Sequence, residues 1–325
     1  MAMRLAADLG GTKTLLGLFE PSGARPSAVQ VDEFATLAHD GLPTMIGEFL
    51  ARCGVSPRAV RAACVGAAGL VRGDTVDLTN VPWHVEAGAV RAALGGAPVA
   101  LLNDVEAMAW ALGALTDDEL MPLQEGHRAP AGNAALLTLG TGLGHAILHD
   151  TGGRLVPLPS EGGHADFAAR TEREVGLLRY LRERFGRVDV ERVVSGPGLA
   201  NVARFVHEGD CPTIPPGTEV VDIPAEVSRA ALDGRCPRCR DAMGLWLEAF
   251  GSAAGNFAIV SVARGGVYIG GGIPPKILPA LRAGGFIRAF RDKAPMDELV
   301  TGIPVRVILN SRAGLLGAAV HAATL

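Results

Sequence analysis

Two stretches of the chain carry the same alternation of apolar and small residues. Residues 3–20 (MRLAADLGGTKTLLGLFE) and 133–150 (NAALLTLGTGLGHAILHD) each run apolar, break at a glycine-rich turn and run apolar again. Each pattern predicts strand, tight turn, strand. The pair forms a weak internal repeat about 130 residues apart, which predicts two domains built on related plans. Between them the chain alternates. A helical pattern over 43–54 (PTMIGEFLARCG) precedes a buried strand and glycine turn at 61–69 (RAACVGAAG). A short helix at 87–96 (AGAVRAALGG) ends in glycine, as a C′ position favours. A strand at 97–103 (APVALLN) then meets a helix at 105–115 (VEAMAWALGAL). Strands alternating with helices imply an α/β architecture.

The second half is richer in helix. Amphipathic or buried helices are predicted over 173–186, 196–209 and 241–263, and a strand, glycine turn and helix over 265–285. A late strand (304–310, PVRVILN) and a closing helix (314–325) complete the chain, and this pair is expected to pack back on the first domain. The best candidate for a boundary loop is HRAPAGN, 127–133.

The 325 residues suit about two domains, and 48% hydrophobic residues suffice for large cores. Charged residues make up 20% and the net charge is −4, so disorder and a basic nucleic-acid or membrane-binding surface are both disfavoured. No apolar run approaches the roughly 20 residues of a membrane span. The N-terminus enters a strand at once without a signal-peptide core, and five cysteines form an odd, sparse set. Together these predict a reduced, cytoplasmic protein. The 43 glycines have no G-X-Y period and cluster at strand ends, where they serve backbone geometry.

Three of those clusters are candidates for chemistry. In DLGGTK (8–13), Gly10 and Gly11 expose backbone at a hairpin turn, where consecutive N–H groups can form an anion nest. Thr12 adds a hydroxyl, and Asp8 can hold Mg²⁺ through water. The alternative is an ordinary hairpin. In LGTGLG (139–144), Gly140, Thr141, Gly142 and Gly144 offer a second cradle. A strand rather than a helix follows, so it is no dinucleotide fingerprint, and neither turn is a P-loop, because no G-K-[ST] follows. Two such turns, each with a threonine, at matching places in two related domains point to phosphate held from both. In GGGIP (270–274), the glycines leave room for a flat adenine or ribose, or simply for close helix–strand packing.

Polar side chains gather beside these turns. LLNDVEA (101–107) ends an apolar strand on Asn103 and Asp104. Ligands of open α/β sheets sit outside the carboxyl ends of strands, so these two residues are expected to face a site rather than the core. Alternatively Asp104 N-caps the helix 105–115. In SEGGH (160–164) two glycines allow Glu161 and His164 to converge, and Glu191 is read as preceding another apolar strand. Such a set suits the hydroxyls of a polyol, and its spacing matches no standard metal-ligand pattern. CPRC (236–239), with His207 and Cys211, has zinc-knuckle ligand types. The long gap from Cys211 to Cys236 favours reduced thiols on a loop instead.

DLGGTK, LTNVPW, LLNDVEA, LGTGLG, PSEGGH, ERVVSGPG and GGVYIGGGIPP occur in one order along 3–324. In that order they resemble the bacterial glucokinase family, a branch of the hexokinase–actin-like sugar kinases related to the repressor/ORF/kinase (ROK) group. The resemblance implies two ribonuclease-H-like α/β domains with an active-site cleft between them. The small domain would comprise 1–114 plus 304–325, and the large one 115–303. It implies γ-phosphoryl transfer from MgATP to the 6-hydroxyl of glucose, and a homodimer. Asp104 would be the general base. Asn103, Asp104, Gly142, Glu161, His164 and Glu191 would bind the sugar. Gly10, Gly11, Thr12, Gly140 and Thr141 would contact phosphates, Asp8 would be the outer-sphere Mg²⁺ partner, and Gly271 and Gly272 would flank the nucleotide base. Lys13 stands where many members have Asn and is read as solvated. The cysteine-rich zinc motif of the ROK group is missing, which favours the glucokinase branch. Competing readings are a kinase of another hexose or N-acetylhexosamine, and a sugar-binding regulator without kinase activity. The regulator would need a DNA-binding segment ahead of the first strand. An NAD enzyme built on LGTGLG would need a helix after the turn and an acidic residue ending a paired second strand.

Overall fold

The computed structural model describes all residues except Met1, Ala2, Asn80, Arg128 and Pro130. Asn80 of LTNVPW, and Arg128 and Pro130 of the 127–133 loop, therefore lie outside the described residues. The chain divides into two compact units. One comprises Met1–Glu119, Leu155–Pro159 and Asn310–Leu325; the other comprises Leu120–Arg154 and Ser160–Leu309.

In chain order the first unit opens with strands β1 (Met3–Leu9), β2 (Lys13–Glu20) and β3 (Ser27–Ala35) and helix α1 (Leu42–Arg52). Strand β4 (Val60–Ala67) follows, then a small meander of β5 (Gly69–Arg72), β6 (Thr75–Leu78) and β7 (His84–Glu86). Helix α2 (Ala87–Ala93), β8 (Val99–Asn103) and α3 (Asp104–Ala111) complete the first pass. The main sheet has the order β3-β2-β1-β4-β8. Strands β1, β4 and β8 are parallel, and the β1–β2–β3 pairings are antiparallel. Both faces are covered, so the central strands read as continuous apolar runs. Leu5, Ala7 and Leu9 join a core with Met45, Ile46 and Phe49 of α1 and Val90 of α2. Ala6 and Cys64 point to the other face, towards Ala107 of α3.

The second unit contains β9 (Leu120–Gln124), β10 (Ala134–Leu139) and β11 (Leu143–Asp150). Strand β12 (Leu155–Ser160) is grouped mostly with the first unit. Helices α4 (Glu172–Phe185), α5 (Gly196–His207), α6 (Ile223–Leu232) and α7 (Pro237–Ser261) follow, then β13 (Gly266–Gly270), α8 (Leu278–Arg282), α9 (Gly285–Arg291), α10 (Asp297–Gly302) and β14 (Val305–Ile308). Strands β11, β10, β13, β14 and β9 lie side by side in that order. Again a hairpin leads into parallel neighbours, β10, β13 and β14. This is the plan of the first unit, as the sequence repeat predicts. Trp246 of α7 is fully buried and donates from Nε1 to the Ser195 carbonyl at 3.2 Å, tying the long helix to the start of α5.

Two expectations are corrected. The last strand does not return to the first unit: β14 pairs with β13 and β9 and completes the second unit's parallel set. Only helix α11 (Ala313–Ala322) returns, packing on β1, β4 and α3. The first crossing between units falls at 119/120 rather than at 114/115 or in the 127–133 loop. Glu119, where the chain first leaves the unit, and Asn310, where it finally returns, are joined by Asn310 Nδ2 donating to Glu119 Oε1 at 2.8 Å. Arg25 clasps the same carboxylate at 2.6 and 2.9 Å and holds its pKa down to about 2.

Helix α11 lies on α3 at backbone contact. A Cβ at Gly317 would overlap the Ala107 carbonyl oxygen and sit 2.8 Å from the Ala111 nitrogen. Gly317→Ala is therefore expected to cost about 1–3 kcal/mol in urea unfolding. Gly47, exposed inside α1 with open space around it, predicts the opposite sign: Gly47→Ala should stabilise by about 0.5–1 kcal/mol. Equal effects of the two substitutions would contradict this packing.

Candidate active site

In the first unit the candidate residues sit at the carboxyl ends of parallel strands. Asp8 lies near the end of β1, and Asn103 ends β8. Asp8 is partly buried and packs against Gly314 at the start of α11, where a Cβ would approach its Oδ2 to 3.0 Å. Burial, then the charge of Asp104, raise the Asp8 pKa to about 6, and Lys13 opposes them. Asp104 is also raised, chiefly by burial, against hydrogen bonds to its carboxylate from the Val105 and Asp104 amides and the Asn103 side chain. Two carboxylates thus repel each other within one polar edge. A dication or a ring of hydroxyl donors would relieve that repulsion, so these residues fit a magnesium-dependent site.

The expected capping role belongs to the neighbouring residue. Helix α3 begins at Asp104, and its N-cap is Asn103, whose Oδ1 accepts from the Val105 amide at 2.9 Å. Asn103 Nδ2 also donates to the Gly69 carbonyl at 3.1 Å. Its second N–H faces the Asp104 carboxylate, so its amide keeps one Oδ1 lone pair for a ligand. In the β1–β2 turn, the Gly10 amide donates to the Lys13 carbonyl at 3.1 Å. Gly10 therefore shapes the turn instead of offering its N–H to a phosphate. Gly11 is partly buried and Thr12 exposed. The buried Thr36 hydroxyl donates to the Gly10 carbonyl at 2.8 Å, and the Thr36 amide to the Thr12 carbonyl. Sequence reasoning passed over Thr36, because nothing in its own neighbourhood hints at a turn 26 residues away. Lys13 is exposed and pairs with Glu33 at 3.0 Å, as a solvated lysine would.

In the second unit, four segments converge. The β10–β11 turn closes through Gly140 N–H donating to the Gly142 carbonyl at 3.0 Å, while the Gly140 carbonyl accepts from Gly196 at the start of α5. Gly140, like Gly10, spends its amide inside the turn; Thr141 stays exposed. Gly271 has φ +95°, and a Cβ there would overlap Leu139, so only glycine fits beneath this turn. Gly272 meets nothing within 4 Å. Glu191 does not precede a strand, as expected from sequence, but a turn leading into α5. Its Oε2 accepts from the Leu143 amide at 2.8 Å, beside Gly142. The segment around it pairs with the SEGGH segment: the Glu191 amide donates to the Gly163 carbonyl, and Val190 to Ala165. A Cβ on Gly163 would overlap the Leu143 carbonyl oxygen, and one on Gly162 would press on His145. This explains the two glycines between Glu161 and His164.

His164 Nδ1 lies 3.0 Å from Asp189 Oδ2. That hydrogen bond, with the nearby charges of Glu191, Asp189 and Glu161, raises the His164 pKa. Glu161, His164 and Glu191 are thus brought together. Asp189, two residues before Glu191, is a fourth member that sequence reasoning missed; its only signal is the acidic pair in VDVER. His145 was also missed. It is buried, stacked on Phe257 at 4.4 Å, and burial lowers its pKa to about 4, so it is neutral at neutral pH.

A family model described as glucokinase matches residues 5–325. A curated glucokinase from Synechocystis is 38% identical over 98% of this chain and 97% of its own length. One from Chromobacterium violaceum is 38% identical over 98% of this chain and 89% of its own length. Among solved structures, a glucokinase from an Antarctic psychrotroph superposes with a TM-score of 0.88 at 27% identity, covering all of both chains. A ROK-family glucokinase from Streptomyces griseus, in complex with glucose and AMPPNP, shares the fold with a TM-score of 0.62 at 23% identity over 99% of this chain and 100% of its own. The fold is the two-domain actin-like ATPase architecture of sugar kinases. The chain belongs to the glucokinase family. No described helix is long and apolar enough to cross a membrane.

The raised Asp8 pKa carries a stability prediction. The folded chain holds a proton on Asp8 up to about pH 6, whereas the ordinary value is 3.8. Ionisation therefore costs stability as pH rises through that window, by at most about 3 kcal/mol once complete. Without ligands, Asp8→Asn should unfold at higher urea than the parent at neutral pH. The gap should shrink towards about pH 4, where both side chains are neutral. A gap independent of pH would contradict the assigned coupling.

Proposed function

We propose that this chain transfers the γ-phosphoryl group of MgATP to the 6-hydroxyl of glucose, with Asp104 as general base. Phosphorylation of glucose is the activity of the family to which the chain belongs. The observation that best supports this site assignment is the convergence of Glu161, His164, Asp189 and Glu191 on one turn of the second unit.

Each residue has a part that follows from its free atoms. Glu191 keeps Oε1 for a hydroxyl, since Oε2 is held by the Leu143 amide. His164 keeps Nε2, because Asp189 holds Nδ1 and so fixes the ring. Glu161 and the backbone at Gly142 complete the sugar contacts of this unit. In the first unit Asn103 offers the second lone pair of its Oδ1 to a sugar hydroxyl, and Asp104 accepts the proton of the 6-hydroxyl as that oxygen attacks phosphorus. Gly11, Thr12 and Thr141 hold phosphate oxygens, while Gly10 and Gly140 set the turns that present them. Gly272, with open space beside it, flanks the nucleotide base, and Gly271 fixes the turn beneath. Asp8 would hold Mg²⁺ through water; the ion supplies positive charge against the phosphate oxygens. Phosphoryl transfer asks the protein mainly for such positioning and charge neutralisation.

Purified protein given glucose and MgATP should release ADP in a coupled assay and form glucose 6-phosphate. A site built to bond hydroxyls rejects analogues that leave those groups unpaired, by factors reaching roughly 10⁴. N-acetylglucosamine, bulky at C2, should therefore have a much lower kcat/KM. No glucose-dependent ADP release, or equal kcat/KM for the two sugars, would defeat the reading. Asp8→Ala should weaken MgATP use while calorimetric glucose binding barely changes; a large loss of glucose affinity would remove Asp8 from the donor side.

A further inference from the structure

Cys236 and Cys239 do not sit on a loop. Cys236 N-caps α7, accepting from the Cys239 amide at 3.4 Å, and Cys239 lies in the first turn. His207 is the last residue of α5, and Cys211 follows in the next segment. The fold closes the long sequence gap because α5, α6 and α7 pack together. All four side chains are buried, Cys239 completely.

Their ligand atoms form a small polyhedron. Cys211 Sγ lies 3.9 Å from Cys236 Sγ and 3.4 Å from Cys239 Sγ. His207 Nε2 lies 3.8 Å from Cys236 Sγ and 3.6 Å from Cys239 Sγ. All four atoms fall within 4.8 Å of one another. Tetrahedral zinc, with bonds of about 2.3 Å to sulfur and about 2.0 Å to nitrogen, demands edges of about 3.8 Å between sulfurs and about 3.5 Å between sulfur and nitrogen. We propose that His207, Cys211, Cys236 and Cys239 form a closed structural zinc site joining α5, the segment after it and α7.

Three further features agree. The N-terminus of α7 favours thiolates at its first turn. The Cys239 N–H to Cys236 sulfur bond is the outer-shell support that metal-bound thiolates use. Arg238 reaches the His207 carbonyl at 3.2 Å, placing positive charge beside a centre of net −1. On binding, three thiols each release a proton to solvent, and the neutral imidazole donates its Nε2 lone pair; no redox partner is required. With four protein ligands no coordination position is left for water, so the ion's role is structural. A redox disulfide suits the site less well. The sulfurs are shielded from an exchange partner, and any one pairing strands the third cysteine and the histidine.

Full-length protein expressed with zinc in the medium should contain about one zinc per chain by elemental analysis. Cobalt(II) added to the apo chain under reducing conditions should give the visible bands of a tetrahedral thiolate centre. Cys239→Ser should lose the zinc and lower Tm by at least about 5 °C. His207→Cys, which keeps four ligands, should retain the metal, as should Cys53→Ser, whose thiol lies elsewhere. If Cys239→Ser fails to fold, the zinc content and cobalt spectrum of the parent decide alone. A metal-free parent that takes up neither ion, or a disulfide among these cysteines in the native protein, would overturn the proposal.

Discussion

At the heart of the second unit, backbone meets backbone at a distance no side chain permits. Gly163 rests on the Leu143 carbonyl, and Gly271 rests on Leu139 at the other end of the same turn. The Gly140 carbonyl receives the first amide of α5. These approaches pin the β10–β11 turn between the SEGGH segment, the start of α5 and the turn after β13. Everything chemically useful in this unit follows from that pinning. Glu191 is brought to the Leu143 amide, and Asp189, paired through the same segment, reaches His164. A side chain at Gly163 or Gly271 would push apart segments whose polar groups the proposed reaction needs together.

The first unit solves a different problem. Its parallel strands deliver Asp8 and Asp104 to one edge, and each carboxylate resists ionisation there, chiefly through burial. For stability alone this is a poor choice. For the phosphoryl-transfer site we propose it is useful, because such an edge gains from a cation and from hydroxyl donors. Asn103 separates the two duties on α3. Asn103 is the N-cap of the helix, so the general-base role proposed for Asp104 does not require Asp104 to be that cap.

Most of the fold is legible in the sequence, because buried parallel strands and glycine turns leave strong local signals. The hairpins at 3–20 and 133–150, their shared plan and the strand ending on Asn103 all read directly. Features set by distant contacts do not. Whether β14 joins one sheet or the other depends on which edge is open, not on PVRVILN itself. Gly10 and Gly140 look like exposed amides until the turn geometry shows their N–H groups already bonded. Thr36, Asp189 and His145 act across 26, 25 and 17 residues respectively, on Gly10, His164 and Gly162, so no local pattern exposes them. The cysteine site is the sharpest case: the gap from Cys211 to Cys236 looks too long until α6 is seen to fill it with a packed helix.

The central claim is that Asp104 takes the proton of the sugar hydroxyl, and Asp104→Asn tests it most directly. Asparagine keeps the shape and hydrogen bonds of the side chain but cannot accept that proton, and the cap of α3 is undisturbed because it belongs to Asn103. Steady-state kinetics and glucose calorimetry on the folded variant should show kcat lower by at least about 10², with glucose Kd changed less than about tenfold. A folded Asp104→Asn protein with near-normal kcat would contradict the account.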